Sequence, residues 1–137
     1  MAKGNRPTAK TSRRPLELPA PAQTSRPGSP IFCFRHIVSG YDVLALERRQ
    51  QAALAVTLQQ RAKLTWPQIV QADRHGQGTE KIPSRSIKPS VPTQFQDRDN
   101  FLVFRYDGTR PMVGVRTGEV FHVLWIERQY GEVYDHG

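Results

Sequence analysis

The side chains of this chain best suited to chemistry lie in its last third. In "NFLVFRYDGTRPMVGVRTGEVFHVLWIERQYGEVYDHG", Arg105, Arg110, Arg116 and Arg128 recur among apolar residues, and Tyr134, Asp135 and His136 close the run. Guanidinium groups suit phosphate because their planar fork donates paired hydrogen bonds and keeps its charge at any physiological pH. Tyrosine and histidine exchange protons, imidazole being the side chain that titrates nearest neutrality. Metal-free cleavage of RNA asks for such a set: a base for the 2′-hydroxyl, a cation for the crowded phosphorane and an acid for the leaving 5′-oxygen. Arg105 and Arg128 can supply the charge, and Tyr134, His136 or His75 can handle the protons. Each has a plain structural use as well: Tyr134 as a cross-strand packing residue, His122 as a core or helix-facing histidine, His136 as a loose chain end.

The elements that must position these residues are legible from pattern. "PIFCFRHIV" is rich in β-branched and aromatic residues and suits a first strand. Ser39 and Asp42 stand in a capping-box arrangement before "VLALERRQQAALAVTLQQRAKL", a stretch without Gly or Pro that predicts a helix whose apolar stripe is Leu46, Ala53, Leu54, Ala55, Leu58 and Ala62. A second, shorter helix starts at "LTWPQI". Thr65 is its N-cap, Gln68 completes a capping box, Pro67 occupies the first turn and Leu64 can staple onto Ile69. The two glycines of "DRHGQG" end it, which makes a helical hairpin. From Thr79 to Asn100 the prolines Pro83, Pro89 and Pro92 predict a loop with a short edge strand near Ser84 to Lys88. A loop of that length is expected to be functional or mobile.

Turn signals at Asp107-Gly108, Thr117-Gly118 and Tyr130-Gly131 divide the remainder into four antiparallel strands, the last being "EVYDH". If the first two signals are two-residue loops, Arg105 faces Arg110, Val103 faces Met112, Arg116 faces Glu119 and Gly114 faces Phe121. Alternation then gathers Phe101, Val103, Arg105, Arg110, Met112, Arg116, Phe121, Val123 and Trp125 on one face. Leu102, Phe104, Tyr106, Val113, Val115, Val120, His122, Leu124 and Ile126 form an almost wholly apolar face that should receive the helices. Three arginines side by side need counter-charge, from Glu119 and Glu127 or from a bound anion. The fold class read from this is α+β, in the order β-α-α-β-β-β-β, with a helical hairpin on one face of an antiparallel sheet.

The chain has 137 residues and a formal net charge of +8. Much of that charge sits at the beginning, where Lys3, Arg6, Lys10, Arg13, Arg14 and Arg26 oppose the single acid Glu17 among frequent prolines. Residues 1–30 are therefore expected to be a disordered basic leader, either a solvated tail or an arm that tracks phosphate, and residues 31–137 one domain. The single cysteine, Cys33, lies in "IFCF" and reads as core filling, and the absence of a disulfide framework fits a cytoplasmic protein. No apolar run is long enough to cross a membrane, and the leader has no signal-peptide core. His75, Asp135 and His136 lack zinc-type spacing, so no metal and no cofactor is expected. No phosphate-binding Gly loop, dinucleotide fingerprint or CxxC pair points to another enzyme class.

The stretch from "NFLVFRY" to "GEVY" resembles the RelE/ParE toxin superfamily, and residues 64 to 137 also resemble small bacterial and mobile-element proteins through "LTWPQI", "RHGQGTEKI", "PMVG" and "YDHG". The first resemblance implies a RelE-like fold and a toxin of a type II toxin-antitoxin system, an endoribonuclease that cuts mRNA on the ribosome. It also implies Arg105, Arg128 and Tyr134 as catalytic positions, with His136 beside them, and RNA, the ribosome and a cognate antitoxin as partners. The lysines usual between the second helix and the sheet are replaced by Arg74, His75 and Lys81, with Arg85 and Lys88 beyond. With Arg110 and Arg116 these form the expected nucleic-acid-binding set. Two other classes fit the same residues: a non-catalytic inhibitor of the same fold that binds a protein such as gyrase, and a nucleic-acid-binding accessory protein. On the leading reading, deleting the last four residues removes activity and leaves the fold intact.

Overall fold

A computed structural model describes residues 28–72 and 78–136. Its elements are β1 (Ile31–Cys33), α1 (Arg48–Ala62), α2 (Trp66–Gln71), β2 (Thr79–Pro83), β3 (Asn100–Asp107), β4 (Arg110–Thr117) and β5 (Val120–Ile126). They form an α+β unit with one five-stranded sheet in the order β1-β5-β4-β3-β2. The sheet is mixed, not antiparallel throughout, because β1 runs parallel to β5. The expected four strands after the helices are present in number but not in place. "EVYDH" is not a strand, and the fourth is β2, which pairs with β3 ahead of the expected Ser84 to Lys88 segment. The folded part also reaches back past Ile31. The Gly28 carbonyl accepts from the Trp66 amide at 2.9 Å and Pro30 is buried, while the rest of the expected leader lies outside the described residues.

Both helix starts rest on reciprocal side-chain caps. At α2 the box of Thr65 and Gln68 forms as the sequence predicts, with Leu64 and Ile69 in one apolar cluster. At α1 the box is Glu47 with Gln50 and the helix begins at Arg48; Val43–Ala45 is a separate turn of 3-10 helix, because Leu46 is extended. The buried side of α1 is Gln50, Leu54, Thr57 and Arg61, three of them polar, whereas Ala55 and Ala62 are exposed. Two of these polar groups dock on backbone carbonyls: Thr57 Oγ1 donates to the Tyr106 carbonyl of β3 at 3.1 Å, and Gln50 Nε2 to the Arg128 carbonyl just after β5 at 3.0 Å. Hydrogen bonding of this kind removes the cost of burying them.

The sheet is covered on both faces. Under the helices lie Phe104, Tyr106, Met112, Phe121, Val123 and Ile126 with Leu54, Trp66 and Ile69. On the other face Phe101, Val103, Val113, Val115, Leu124 and Trp125, with Ile82 of β2, are covered by Phe95 and by Val133 and Tyr134 of the C-terminal segment. The long segment after β2 is thus a second lid over the core.

The expected faces hold for β3 and fail for most of β4 and β5. The two-residue loops are Gly108-Thr109 and Gly118-Glu119, and each begins with a glycine in the left-handed region, at φ +60° and +61°. Moving a turn by one residue changes the pairing by two and leaves the faces alone. What inverts β4 is a bulge: Asp107 pairs with Arg110 but Arg105 pairs with Pro111, so Tyr106 is an extra residue. Met112 therefore lies across from Phe104 and under the helices. A second bulge, at Leu124, turns Trp125 to the far face.

The expected row of arginines is dispersed. Arg105 lies on the far face and binds Glu80; Arg110 binds Asp107 and the Arg128 carbonyl; Arg116 is exposed on the helix side of the sheet, its guanidinium 4.2 Å from the Trp66 ring centroid.

Gly114 faces the second bulge so closely that a β-carbon there would strike the backbone carbonyl of His122. Gly114→Ala should lower stability by about 1–3 kcal/mol, the cost of overpacking a filled site, as read from urea unfolding.

Candidate functional site

β3 and β2 present Arg105 and Glu80, and the segment after β5 brings Tyr134 and His136 across to them. Together with Ile82, Pro83, Ser86 and Asp135 these residues line a cavity of about 320 Å³. Arg105 Nη2 donates to Glu80 Oε1 at 3.1 Å. The Tyr134 hydroxyl and Arg105 Nε are buried and make no hydrogen bond with the described residues.

The C-terminal segment is held in place by Glu127, which follows β5 and is fully buried. Its Oε1 is 2.8 Å from His136 Nε2, and its Oε2 accepts from the Val133 amide at 2.9 Å. Its carbonyl accepts from the Tyr106 hydroxyl at 2.7 Å. The intervening loop is fixed as well. Glu132 Oε1 accepts from the amides of Arg128 and Gln129, and Lys88 Nζ reaches the Gly131 carbonyl at 2.6 Å and Asp135 at 2.7 Å. His136 is sandwiched between two tyrosines, with centroids 3.9 Å from Tyr130 and 4.3 Å from Tyr134. Its side chain is 5% exposed and Tyr134 is 4% exposed. Deleting the last four residues would remove both, so such a truncation should disturb the packing of the far face as well as the candidate site, against the expectation of an intact fold.

Burial pushes the Tyr134 phenol up to about 12, with the Glu80 carboxylate adding to the rise and the Arg105 guanidinium opposing it. At neutral pH the hydroxyl is therefore protonated and able to donate. On the same face His122 is not helix-facing: it lies beside His36 and Phe95, and burial, with His36 and Arg98 nearby, lowers its pKa.

Of the four expected catalytic residues, Arg105, Tyr134 and His136 meet at this cavity. Arg128 does not; it is exposed, and its backbone rather than its guanidinium ties the loop to Gln50 and Arg110. The expected nucleic-acid-binding residues do not form one patch. Lys88 is paired with Asp135, Arg85 is exposed in the turn Ser84–Ser86, and Arg110 and Arg116 are engaged as above. Lys81 and Arg116 share a larger cleft of about 730 Å³ at the other side of the sheet, which Asp97 and Asp99 also line, so it carries both signs of charge. Arg74 and His75 lie outside the described residues. Among the described residues no three His, Cys, Asp or Glu side chains cluster as a metal site requires, and no helix is long and apolar enough to cross a membrane.

Glu80 is a member that sequence reasoning missed, and Glu127, expected only as counter-charge to the arginines, instead holds His136 and the Val133 amide. Glu127 carried a usable signal, since an acid that closes an otherwise apolar strand needs partners if it is buried. Glu80 carried little, because its segment read as loop. Compared with protein-family models, curated proteins and solved structures, the chain matches none of them.

Removing the Glu127 carboxylate strands His136 and the Val133 amide together. Glu127→Ala should cost about 3–5 kcal/mol in urea unfolding, and Glu127→Gln, which keeps one acceptor for Val133, less than that. For Tyr134 the folded pKa lies above the unfolded value near 10. Its contribution is complete below pH 10 and is lost as pH rises toward 12. Stability should thus fall more steeply between pH 10 and 12 in the wild type than in Tyr134→Phe.

Proposed function

We propose that the chain is a metal-independent endoribonuclease of the toxin type, with its active wall at the cavity where Arg105, Tyr134 and His136 meet. That convergence carries the reading: a cation, a protonated phenol and a carboxylate-oriented imidazole are the three roles that cleavage by the 2′-hydroxyl needs. In that reaction the 2′-oxygen attacks phosphorus, the bond to the 5′-oxygen breaks, and the products are a 2′,3′-cyclic phosphate and a 5′-hydroxyl. One His136 nitrogen is held by Glu127, which leaves the other to take the 2′-hydroxyl proton. Tyr134 gives its proton to the departing 5′-oxygen, and Arg105 Nε stabilises the charge between them. Both donors are covered in this conformation, so a phosphate engages them only when the Arg105 and Tyr134 side chains shift toward the cavity they line. RNA, the ribosome and an antitoxin are the partners this reading implies.

A second reading, RNA binding without cleavage, is favoured by one observation: both faces of the His136 ring are covered and one of its nitrogens is tied to Glu127.

Primer extension on translated mRNA decides between them. Induction of the wild type should create new 5′ ends, and Arg105→Ala or Tyr134→Phe should reduce them by about 10²-fold or more. The Tyr134 hydroxyl makes no hydrogen bond with the described residues, so Tyr134→Phe should be at least as stable as the wild type. Lost cleavage in that variant is then lost chemistry. Absence of new ends in the wild type, or full cleavage by the Arg105→Ala, Tyr134→Phe double variant, overturns the nuclease reading.

A further inference from the structure

We propose that Tyr130 is a stacking platform for an unpaired nucleobase, so that the ligand of this edge of the molecule is single-stranded nucleic acid. The inference rests on the reading of the chain as an RNA-engaging protein and adds where a base is held. Tyr130 is 55% exposed although one face of its ring lies on His136, at 3.9 Å between centroids and 25° between planes. The stack continues through His136 to the buried Tyr134, at 4.3 Å and 26°. Tyr130 is thus the outer member of a three-ring column, and among the described residues no second ring stacks on it.

The column is rigid for reasons already described. His136 is pinned to the buried Glu127, and the loop that carries Tyr130 is stapled through Glu132 and Lys88. A ring held in place before binding loses little conformational freedom when another ring is laid on it. A base is also sequence-tolerant as a stacking partner, because every base offers a π-face. An exposed cation beside the platform favours a nucleic acid over an uncharged aromatic ligand or a sugar: Arg128, two positions away, is exposed and can meet a phosphate of the stacked strand. The inner end of the same column is Tyr134, which lines the Arg105 cavity. A strand stacked on Tyr130 therefore lies beside the residues that would take its phosphate.

The test measures binding of the full chain to a short single-stranded oligonucleotide with 2′-O-methyl groups, which cannot be cut through the 2′-oxygen, by fluorescence anisotropy at several salt concentrations. Tyr130→Ala should weaken binding by about 5- to 100-fold, the loss that removal of one aromatic–base stack brings. Tyr130→Phe and Tyr130→Trp should keep it. The dependence of affinity on salt should not change, because no phosphate contact is lost. On the same strand built with abasic sites, wild type and Tyr130→Ala should bind alike, which separates stacking from damage to the loop. No binding of the oligonucleotide by the wild type, wild-type affinity in Tyr130→Ala, or an equal loss on the abasic strand overturns the platform. Tyr130-dependent binding by a chain that produces no new mRNA ends would overturn the nuclease reading alone, and cleavage untouched by Tyr130→Ala, with unchanged affinity, would overturn the platform alone.

Discussion

A carboxylate with no solvent exposure at the end of the central hairpin sets the terms for this molecule. An ionised side chain is tolerated in an interior only where hydrogen bonds replace its water. Glu127 meets that condition through two groups of the segment that follows it, the Val133 amide and His136. Its backbone is tied separately to the sheet, the carbonyl accepting from the Tyr106 hydroxyl of β3 and the amide donating to the Pro111 carbonyl of β4. The carboxylate gains its two partners only because the chain turns back over the far face of the sheet after β5. The path of the C-terminal segment and the burial of this carboxylate thus depend on each other. Val133 and Tyr134 close the second apolar cluster because Glu127 places them there.

This constraint also explains why the sheet is buried on both sides although only one face was expected to be covered. The helices suffice for one cluster. The other is closed by pieces outside the strands and α-helices, namely Phe95, Ile87 and Val91 from the long segment after β2 and the C-terminal residues. A hydrogen bond from the Lys88 amide to the Val133 carbonyl joins these two lids. Neither lid has a periodic pattern, so neither could be recognised as a core element from alternation or helical spacing. Composition marked the first as a loop and left its three apolar anchors unread.

The legible and illegible parts of the sheet divide along a similar line. Pattern found β1, both helices and the three long strands, and the capping box at Thr65 and Gln68 formed as expected. The faces of β4 and of β5 as far as Leu124 were inverted by one extra residue, Tyr106, and the second bulge at Leu124 returns Trp125 and Ile126 to the expected faces. Side chains alternate with a period of two, so each bulge transfers the residues after it to the opposite face. Tyr106 is the bulge residue whose hydroxyl reaches the Glu127 carbonyl. The local irregularity that defeats alternation and the buried charge that fixes the tail are parts of one arrangement, and neither is visible one strand at a time.

The candidate site shows the same asymmetry between residue types and partners. Arg105, Tyr134 and His136 could be singled out because their chemistry is local to each side chain. What each of them does depends on carboxylates elsewhere in the chain. Glu80 offsets the Arg105 charge and raises the Tyr134 pKa, while Glu127 orients His136. With Arg110 and Arg116 also engaged, the sheet does not offer the concentrated positive face that the spacing of arginines suggested. A polyanion approaching this edge meets neutralised pairs and a column of aromatic rings, so electrostatic attraction alone would hold it weakly there. Discrimination at such a surface has to come from shape and stacking, with Arg105 released to a phosphate only as Glu80 gives it up.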